Sequence, residues 1–215
     1  MTRGAIAVIA KAPEPGRSKT RLCPPCTPEQ AALLAQAALR DTLSALRRAS
    51  CERRYVVLDG EPGAWLESAG PDVVVIAQRG HGLGERLAAA FDDIAHPAFI
   101  VGMDTPQIGP ALLEDGLRAL SPAGASLGLA PDGGYWGIGL RSPDARVFAG
   151  VPMSSARTGD VQQRRLRSLG LDVALLPPLR DVDTIEDARV VAAGAPATRF
   201  ATALARLDLA EELAA

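Results

Sequence analysis

Aromatic residues, cysteines and long apolar segments are scarce in this sequence. Aromatic residues make up 4% of its 215 residues, so the core must be built mainly from alanine, valine, leucine and isoleucine. No stretch approaches the ~20 apolar residues that a membrane-spanning helix needs. The apolar run at residues 5–10 is too short for the core of a signal peptide and is followed directly by Lys11. We therefore expect a soluble, cytoplasmic protein without a membrane partner.

An excess of one charge is also lacking. The chain has 23 basic and 25 acidic residues, which gives a formal net charge of −2. Proteins that bind nucleic acid over a broad surface carry a basic excess. Nucleic acid is therefore not expected among the partners.

Lysine is nearly absent, since arginine supplies almost all of the basic residues. The two lysines, Lys11 and Lys19, both lie within residues 11–21. A lysine ammonium acts on phosphate as a compact point charge, whereas an arginine guanidinium acts as a flat fork. Two lysines in one short segment therefore favour a chemical role for that segment.

The three cysteines, Cys23, Cys26 and Cys51, cannot form a fully paired disulfide framework, which agrees with a reducing compartment. Cys23 and Cys26 form a CxxC pattern, which is typical of zinc sites and of redox-active dithiols. A zinc site needs four ligands, and the remaining cysteine and the two histidines form no second close pair. The pattern favours small residues in a proline-rich turn, and the zinc and redox interpretations stay open as alternatives.

Alternating strand and helix patterns predict an α/β sandwich with a mostly parallel sheet. Residues 5–10 are predicted as a buried first strand, and Thr27 followed by Pro28 and Gln30 predicts the start of a helix that runs to about Ala49. Further strands are predicted at residues 54–58, 73–78, 98–103, 125–130, 135–140 and 172–176, and further helices at 64–69, 84–95, 110–120, 158–169, 184–193 and 198–213. We expect a single domain over residues 1–215. The last helix suits packing on its own domain or on a partner, and the oligomeric state stays open.

The segment at residues 11–21 follows the first strand, where ligands bind in open parallel sheets. It carries four basic side chains and one glutamate, and Gly16 permits a close approach of the backbone to a ligand. Such a loop suits a chain of phosphates, and the alternative is a solvated basic loop. The Walker and GxGxxG patterns are both lacking, which argues against ATPase and NAD-dependent activities.

Three carboxylates stand at predicted strand ends or turns. Asp104 ends a buried strand, where it would bind Mg²⁺ or Mn²⁺ or cap the turn before a proline. Asp183 precedes Thr184, the predicted N-cap of a helix, and is either a second metal ligand or part of the capping turn. Asp132 lies in a turn before two adjacent aromatic residues, which suits either a sugar- or base-facing surface or an ordinary hairpin. Gly82 belongs to a glycine-rich turn that would approach a nucleotide or only lead into the next helix.

Taken together, five ordered segments resemble the glycosyltransferase-A-like family of nucleotide-diphospho-sugar transferases. They are AKAPEPGRSKTRL at residues 10–22, GLGERLAAAF at 82–91, VGMDTPQI at 101–108, APDGGYWGIGL at 130–140 and LLPPLRDVDTIEDA at 175–188. The family includes arsenosugar-biosynthesis-type and radical-SAM/selenodomain-associated transferases. Its wider relatives include phospholactate and molybdenum-cofactor guanylyltransferases.

The resemblance implies a three-layer α/β/α sandwich with a mixed, mostly parallel sheet, and it implies roles for particular residues. Lys19 and Asp104 would be catalytic, and Asp104 would hold Mg²⁺ or Mn²⁺, with Asp183 as the second metal ligand that its position before Thr184 suggests. The nucleotide would be bound by Ala10, Lys11, Ala12, Pro13, Gly16, Arg17, Lys19, Arg21 and Gly82. The acceptor or sugar would be bound by Asp132, Gly133, Gly134, Tyr135 and Trp136.

The function that we expect from these residues is metal-dependent glycosyl transfer from a nucleotide-diphospho-sugar to a small-molecule acceptor. The first alternative is nucleotidyl transfer, in which a phosphorylated small molecule attacks an NTP and pyrophosphate leaves. The second is a nucleotide-binding protein without catalytic activity. Two features depart from the family pattern. Gly102 stands where the usual Asp-x-Asp has its first aspartate, and the resemblance does not explain Cys23 and Cys26.

Overall fold

The computed structural model describes residues 2–207 and contains a seven-stranded sheet. Its strands are β1 (Thr2–Lys11), β2 (Cys51–Asp59), β3 (Val73–Ala77), β4 (Ala98–Gly102), β5 (Gly124–Leu129), β6 (Tyr135–Leu140) and β7 (Asp172–Leu176). They are arranged in the order β3-β2-β1-β4-β6-β5-β7. Strand β6 runs antiparallel to both of its neighbours, whereas the other described pairings are parallel. The predicted mixed, mostly parallel sheet is confirmed.

The helices begin and end close to the predicted positions. They are α1 (Pro28–Arg48), α2 (Leu83–Ile94), α3 (Pro110–Arg118), α4 (Leu120–Ala123), α5 (Thr158–Ser168), α6 (Ile185–Gly194) and α7 (Arg199–Arg206). Three 3-10 turns lie at Thr20–Leu22, Ala64–Ala69 and Ala145–Phe148, so the helix predicted at 64–69 is a 3-10 turn. Within residues 2–207, none of the helices is both long and apolar enough to cross a membrane.

The helix predicted at residues 198–213 is α7, which is shorter at its C-terminal end. Thr198 caps its start by accepting a hydrogen bond from the Ala201 amide, and it ends at Arg206 because Leu207 has an extended backbone. The remainder of the prediction, residues 208–215, lies outside the described residues. Buried Asp41 on α1 accepts hydrogen bonds from the amides of Arg199 and Phe200, which fixes α7 against α1.

The core has one layer on each face of the sheet, and a third buried cluster lies between α1, α6 and α7. On one face, Ile6 and Val8 of β1 pack with side chains of α1 and α3. On the other face, Ala5 and Ala7 pack with side chains of α2, since successive strand residues point to opposite faces. This arrangement is the three-layer sandwich that the sequence predicts.

The strand directions bring the candidate residues to one edge of the sheet. The parallel strands β1, β3, β4 and β7 all end there, and each is followed by a candidate segment. Because β6 runs in the opposite direction, the turn between β5 and β6, which holds Asp132, lies at the same edge. The basic loop follows β1, which lies directly beside β4, whose end precedes Asp104.

Candidate active site

A cleft of about 760 Å³ lies across this edge of the sheet. Ten of the predicted site residues line it: Ala10, Lys11, Arg21, Gly82, Asp104, Asp132, Gly134, Tyr135, Trp136 and Asp183. A smaller cavity of about 210 Å³, here called the side pocket, shares four of these residues with the cleft: Lys11, Arg21, Asp104 and Asp183. Arg17 and Lys19 line the side pocket and not the cleft.

Four of the other predicted residues, Ala12, Pro13, Gly16 and Gly133, line neither cavity. Ala12 is buried, and its amide donates to the Asp59 carbonyl, so it holds the base of the basic loop. Gly16 has a positive φ of 73° in open space and turns the loop. Ala12 and Gly16 therefore shape the basic loop around the cavities.

The side chain of Lys19 is held between two carboxylates. Its Nζ lies 2.6 Å from Oδ2 of Asp104 and 3.1 Å from Oδ1 of Asp183, and the side chain is 10% exposed. Burial by itself would lower the pKa of Lys19, but the two carboxylates outweigh burial and raise it. The predicted phosphate-binding ammonium therefore forms buried ion pairs in this structure.

The backbone around Lys19 forms a concave surface of amides. Lys19 has left-handed φ and ψ of 53° and 40°, and the right-handed 3-10 turn Thr20–Leu22 follows it. A left-handed residue next to right-handed ones points successive N–H groups inward, which is the geometry of an anion-binding nest. Within residues 2–207, the amides of Lys19, Thr20 and Arg21 donate to no protein acceptor. The nest lies in the wall of the side pocket.

A backbone hydrogen bond brings the remaining acidic residues to the end of β4. The amide of buried Val182 donates to the carbonyl oxygen of Asp104 at 3.0 Å, which places Asp181 and Asp183 beside Asp104. Thr184 and Asp187 form the capping box of α6, so Asp183 is not needed as the cap. Oδ2 of Asp183 instead lies 3.2 Å from Nη1 of Arg21.

Asp132, Asp181 and Asp183 form a cluster in which one oxygen of each carboxylate lies within 4.8 Å of the others. Sequence reasoning placed Asp132 on the acceptor side and did not select Asp181. The only signal for Asp181 is its alternation with Asp183 in the motif Asp-Val-Asp, which points both side chains the same way. Burial, followed by the charges of Asp132 and Asp183, raises the pKa of Asp181 to about 6.

These residues fit a divalent cation. Asp104, Asp132, Asp181 and Asp183 carry four negative charges when ionised, against the three positive charges of Lys11, Lys19 and Arg21 at the same edge of the sheet, which leaves a local excess of one negative charge. Oδ1 of Asp104 is buried and has no hydrogen-bond donor among residues 2–207, so it has lone pairs available for a cation. Mg²⁺ and Mn²⁺ prefer such oxygen ligands. The Lys19 ammonium already shows that a cation fits between Asp104 and Asp183.

Replacement of Asp181 by asparagine is expected to stabilise the metal-free protein. The folded-state pKa of about 6 lies above the usual value of 3.8, so folding loses stability as the pH rises from about 4 through 6. Because Asp181 is partly exposed, we expect a gain of roughly 1–2 kcal/mol at pH 7.5 and almost none at pH 4. Urea denaturation in EDTA at the two pH values measures it. Asp115→Asn on exposed α3 is the control, and equal gains for Asp181→Asn at both pH values would contradict the prediction.

The two aromatic residues after Asp132 do not form one surface. Tyr135 packs against the core layer on the α2 face of the sheet. Its hydroxyl lies 3.8 Å from Sδ of Met153, and burial raises the pKa of Tyr135. The indole of Trp136 packs edge-on against Phe99 in the opposite layer, and its Nε1 donates to the Pro177 carbonyl. Trp136 therefore supports the sheet beneath the cleft, because consecutive strand residues point to opposite faces.

Gln78 and Arg86 line the other end of the cleft, and sequence reasoning missed both. Nε2 of Gln78 donates to the carbonyls of Ala10 and Val57, which fixes the amide across three strands. Nη1 of Arg86 then donates to Oε1 of Gln78 and pairs with Asp59 at 2.8 Å. No pattern in the sequence points to this network, because its hydrogen bonds join residues up to 68 positions apart.

The cysteines do not form a second site. All three are free thiols, and Cys51 lies at the start of β2. Burial, together with Cys23, raises the pKa of Cys26, whereas reactive thiols have a lowered pKa. In the described part of the chain, the potential metal ligands that cluster are the aspartates Asp132, Asp181 and Asp183, and no cysteine belongs to such a cluster. The geometry thus favours the proline-rich turn among the three interpretations of the CxxC pattern.

Comparisons with known proteins agree with this fold. Residues 42–155 match the family model DUF2064, described as an uncharacterized protein conserved in bacteria. A crystal structure from Desulfovibrio desulfuricans G20, described provisionally as a nucleotide-diphospho-sugar transferase, is 31% identical with a TM-score of 0.79, covering 89% of this chain and 87% of that one. No curated protein matches the sequence.

More distant structures share the fold. The 2-C-methyl-D-erythritol 4-phosphate cytidylyltransferase of Thermus thermophilus is 17% identical with a TM-score of 0.55, over 90% of this chain and 99% of that one. A CMP:2-keto-3-deoxy-manno-octonic acid synthetase in complex with CTP is 14% identical with a TM-score of 0.53, over 90% and 99% of the two chains. At these identities the similarity concerns the fold.

Proposed function

Because the chain belongs to the DUF2064 family and has the fold of the nucleotide-diphospho-sugar transferases, we propose that it is a nucleotide-dependent transferase, and more specifically a nucleotidylyltransferase. In this reaction an oxygen of a phosphorylated small molecule attacks the α-phosphorus of an NTP. The bond from the α-phosphorus to the bridging oxygen breaks, and pyrophosphate leaves. The sequence favoured glycosyl transfer, and the geometry of the two cavities favours nucleotidyl transfer.

The observation that carries this proposal is the basic side pocket beside the cleft. Lys11, Arg17 and Arg21 and the amide nest line a cavity of about 210 Å³ that is separate from most of the cleft. A departing pyrophosphate needs such a place, rich in donors and away from the acceptor. In glycosyl transfer the diphosphate lies between the nucleoside and the sugar, within a single cleft, and needs no side pocket.

The residues of the side pocket and the cleft would then have different roles. The side pocket would bind the β- and γ-phosphates, and the end of the cleft at Gln78 and Gly82 would receive the nucleoside. Asp104 and Asp183 would hold the divalent cation, with Asp132 and Asp181 in reach of Asp183. When bound, the cation would neutralise charge on the phosphates. The acceptor would enter beside Tyr135, on the α5 side.

Glycosyl transfer is the second candidate, and the 31% identical relative favours it, since that protein is described provisionally as a nucleotide-diphospho-sugar transferase. In that reaction the acceptor attacks the sugar carbon and the nucleoside diphosphate leaves. The sequence resemblance implies an association with arsenosugar biosynthesis or with radical-SAM enzymes. Such a pathway would supply the acceptor for glycosyl transfer or for nucleotidyl transfer. This association is itself a proposal.

A binding comparison separates the two candidates. Nucleoside mono-, di- and triphosphates of each base and a panel of nucleotide-sugars are titrated calorimetrically with Mg²⁺ present. For nucleotidyl transfer we expect an NTP to bind at least ~10-fold more tightly than its diphosphate. Arg17→Gln should weaken this preference, because Arg17 lines the side pocket and does not line the cleft. Its control is Arg118→Gln on exposed α3.

Activity then decides between the reactions. Each NTP is incubated with Mg²⁺ and a panel of sugar phosphates and other phosphorylated small molecules, and pyrophosphate release is measured. Acceptor-dependent pyrophosphate release would support the proposal. Transfer from a nucleotide-sugar without pyrophosphate release would overturn it in favour of glycosyl transfer, and failure to bind any nucleotide would overturn both candidates.

A further inference from the structure

The ion pairs of Lys19 conflict with two of its expected partners. Its ammonium lies between Asp104, whose Oδ1 has no donor among the described residues, and Asp183, which belongs to the aspartate cluster. A cation bridging these oxygens and the ammonium cannot occupy the same space, since the ammonium is 2.6 Å from one and 3.1 Å from the other. Nor can the buried ammonium bind a phosphate in the cleft while it remains there. A metal ion that bridges Asp104 and Asp183 would therefore require the ammonium to move.

We propose that Lys19 is an internal counter-cation: it occupies the metal position between Asp104 and Asp183 in the free protein and exchanges with the divalent cation when the metal binds. The displaced ammonium is then free to turn toward the phosphates. This inference rests on the proposed function for the identity of the phosphates. The exchange of lysine for metal depends only on Lys19, Asp104 and Asp183.

The surroundings of Lys19 support this exchange. Without the ammonium, two carboxylates would face each other beside the end of β4. Among the described residues, the other cation within ion-pair distance is Arg21, which contacts Asp183. The lysine thus compensates the negative charge of both carboxylates. Its backbone is fixed in the nest by the left-handed conformation and by the 3-10 turn, so a rotation of the side chain suffices for the exchange. The same side pocket lies next to the ammonium and would receive it.

The exchange predicts an unusual result for Lys19→Met. Removal of a competing cation should make the free protein bind Mn²⁺ about tenfold more tightly, within the usual range of coupling between sites. Removal of a residue that merely supports the metal site would weaken binding instead. Electron paramagnetic resonance of free Mn²⁺ measures the affinity in the absence of any nucleotide. The control is Arg118→Met, which removes a positive charge outside both cavities and should alter the affinity by less than about twofold.

A second measurement needs no variant protein. Because the chain has only two lysines, labelling with lysine carrying ¹³C at Cε gives two signals, which Lys19→Met assigns. Titration of the wild type with Mg²⁺ should shift the Lys19 signal toward that of an exposed lysine and leave the Lys11 signal in place. This measurement stands if Lys19→Met folds poorly, since Lys11→Met also assigns the signals.

Three results would overturn the exchange. They are Mn²⁺ affinity that is unchanged or weaker in Lys19→Met, a Lys19 signal that stays in place while Mg²⁺ saturates its site, and failure of both metals to bind the wild type and Lys19→Met. None of these measurements contains a nucleotide. A failure of the proposed nucleotide chemistry is therefore distinguishable from a failure of the exchange.

Discussion

Asp104→Asn is expected to lower turnover by at least ~10²-fold while leaving the fold intact, because the charge of Asp104 is needed in both states of the site. In the free protein its Oδ2 pairs with Lys19, and in the loaded protein its carboxylate would hold the cation. Asparagine has the same shape but no charge. It also keeps the backbone carbonyl that accepts the Val182 amide, so the loop with Asp181 and Asp183 should stay in position.

The measurement compares steady-state turnover of wild type and Asp104→Asn in the reaction that the panel identifies, with thermal unfolding as the check on folding. Asp115→Asn is again the control. It removes an exposed aspartate that pairs with Arg118 on α3, outside both cavities, and should be nearly silent. Turnover within a few-fold of wild type in Asp104→Asn would return this residue to the role of a turn cap. Unfolding of the variant at the temperature of the assay would show that its charge mainly serves stability.

The sequence predicts the elements of this site better than their contacts. Strand ends and helix caps are local features, so Asp104 at the end of β4 and the capping box of Thr27 follow from patterns a few residues long. The glycine-rich turn before α2 is equally local. These positions are correct because backbone preferences and capping act within one turn of chain.

The pairing of side chains depends instead on strand order. Lys19 reaches Asp104 because β1 lies beside β4, although the two residues are 85 positions apart and five elements separate them. Asp132 joins Asp181 because β6 is reversed and β5 pairs with β7. Nothing in the hydrophobic pattern of a strand specifies its neighbours in the sheet. The buried ion pairs of Lys19 and the aspartate cluster therefore emerge only from the assembled fold.

The difference between local pattern and assembled fold also explains the position of Trp136. Adjacent aromatic residues suggest one recognition surface when the sequence is considered alone. In a strand, however, neighbouring side chains alternate between the two faces of the sheet. The ring of Tyr135 therefore packs on the α2 face, and the ring of Trp136 fills the core on the opposite face. The prediction of strand β6 already contained this alternation, and combining the two would have separated Tyr135 from Trp136.

Gly133→Ala is expected to destabilise the protein by roughly 3–5 kcal/mol and to disrupt the acidic cluster, because two independent costs coincide at this position. Gly133 has a positive φ of 88°, which disfavours any side chain. In addition, a Cβ at this position would overlap the carbonyl oxygen of Ala156, in the segment that leads into α5. The Gly133 carbonyl also accepts the Gly159 amide at 2.8 Å, so the turn and the start of α5 form one unit.

Gly150→Ala separates the two costs. Gly150 has a similar positive φ of 75°, but a Cβ there meets nothing within 4 Å. It should therefore carry only the backbone strain, about 1 kcal/mol. Urea denaturation of both variants measures the difference, and Mn²⁺ affinity reports on the cluster, since displacement of the turn moves Asp132 away from Asp181. Equal destabilisation of the two variants would show that the chain relaxes around Ala156 without cost, and that the turn does not hold Asp132 in place.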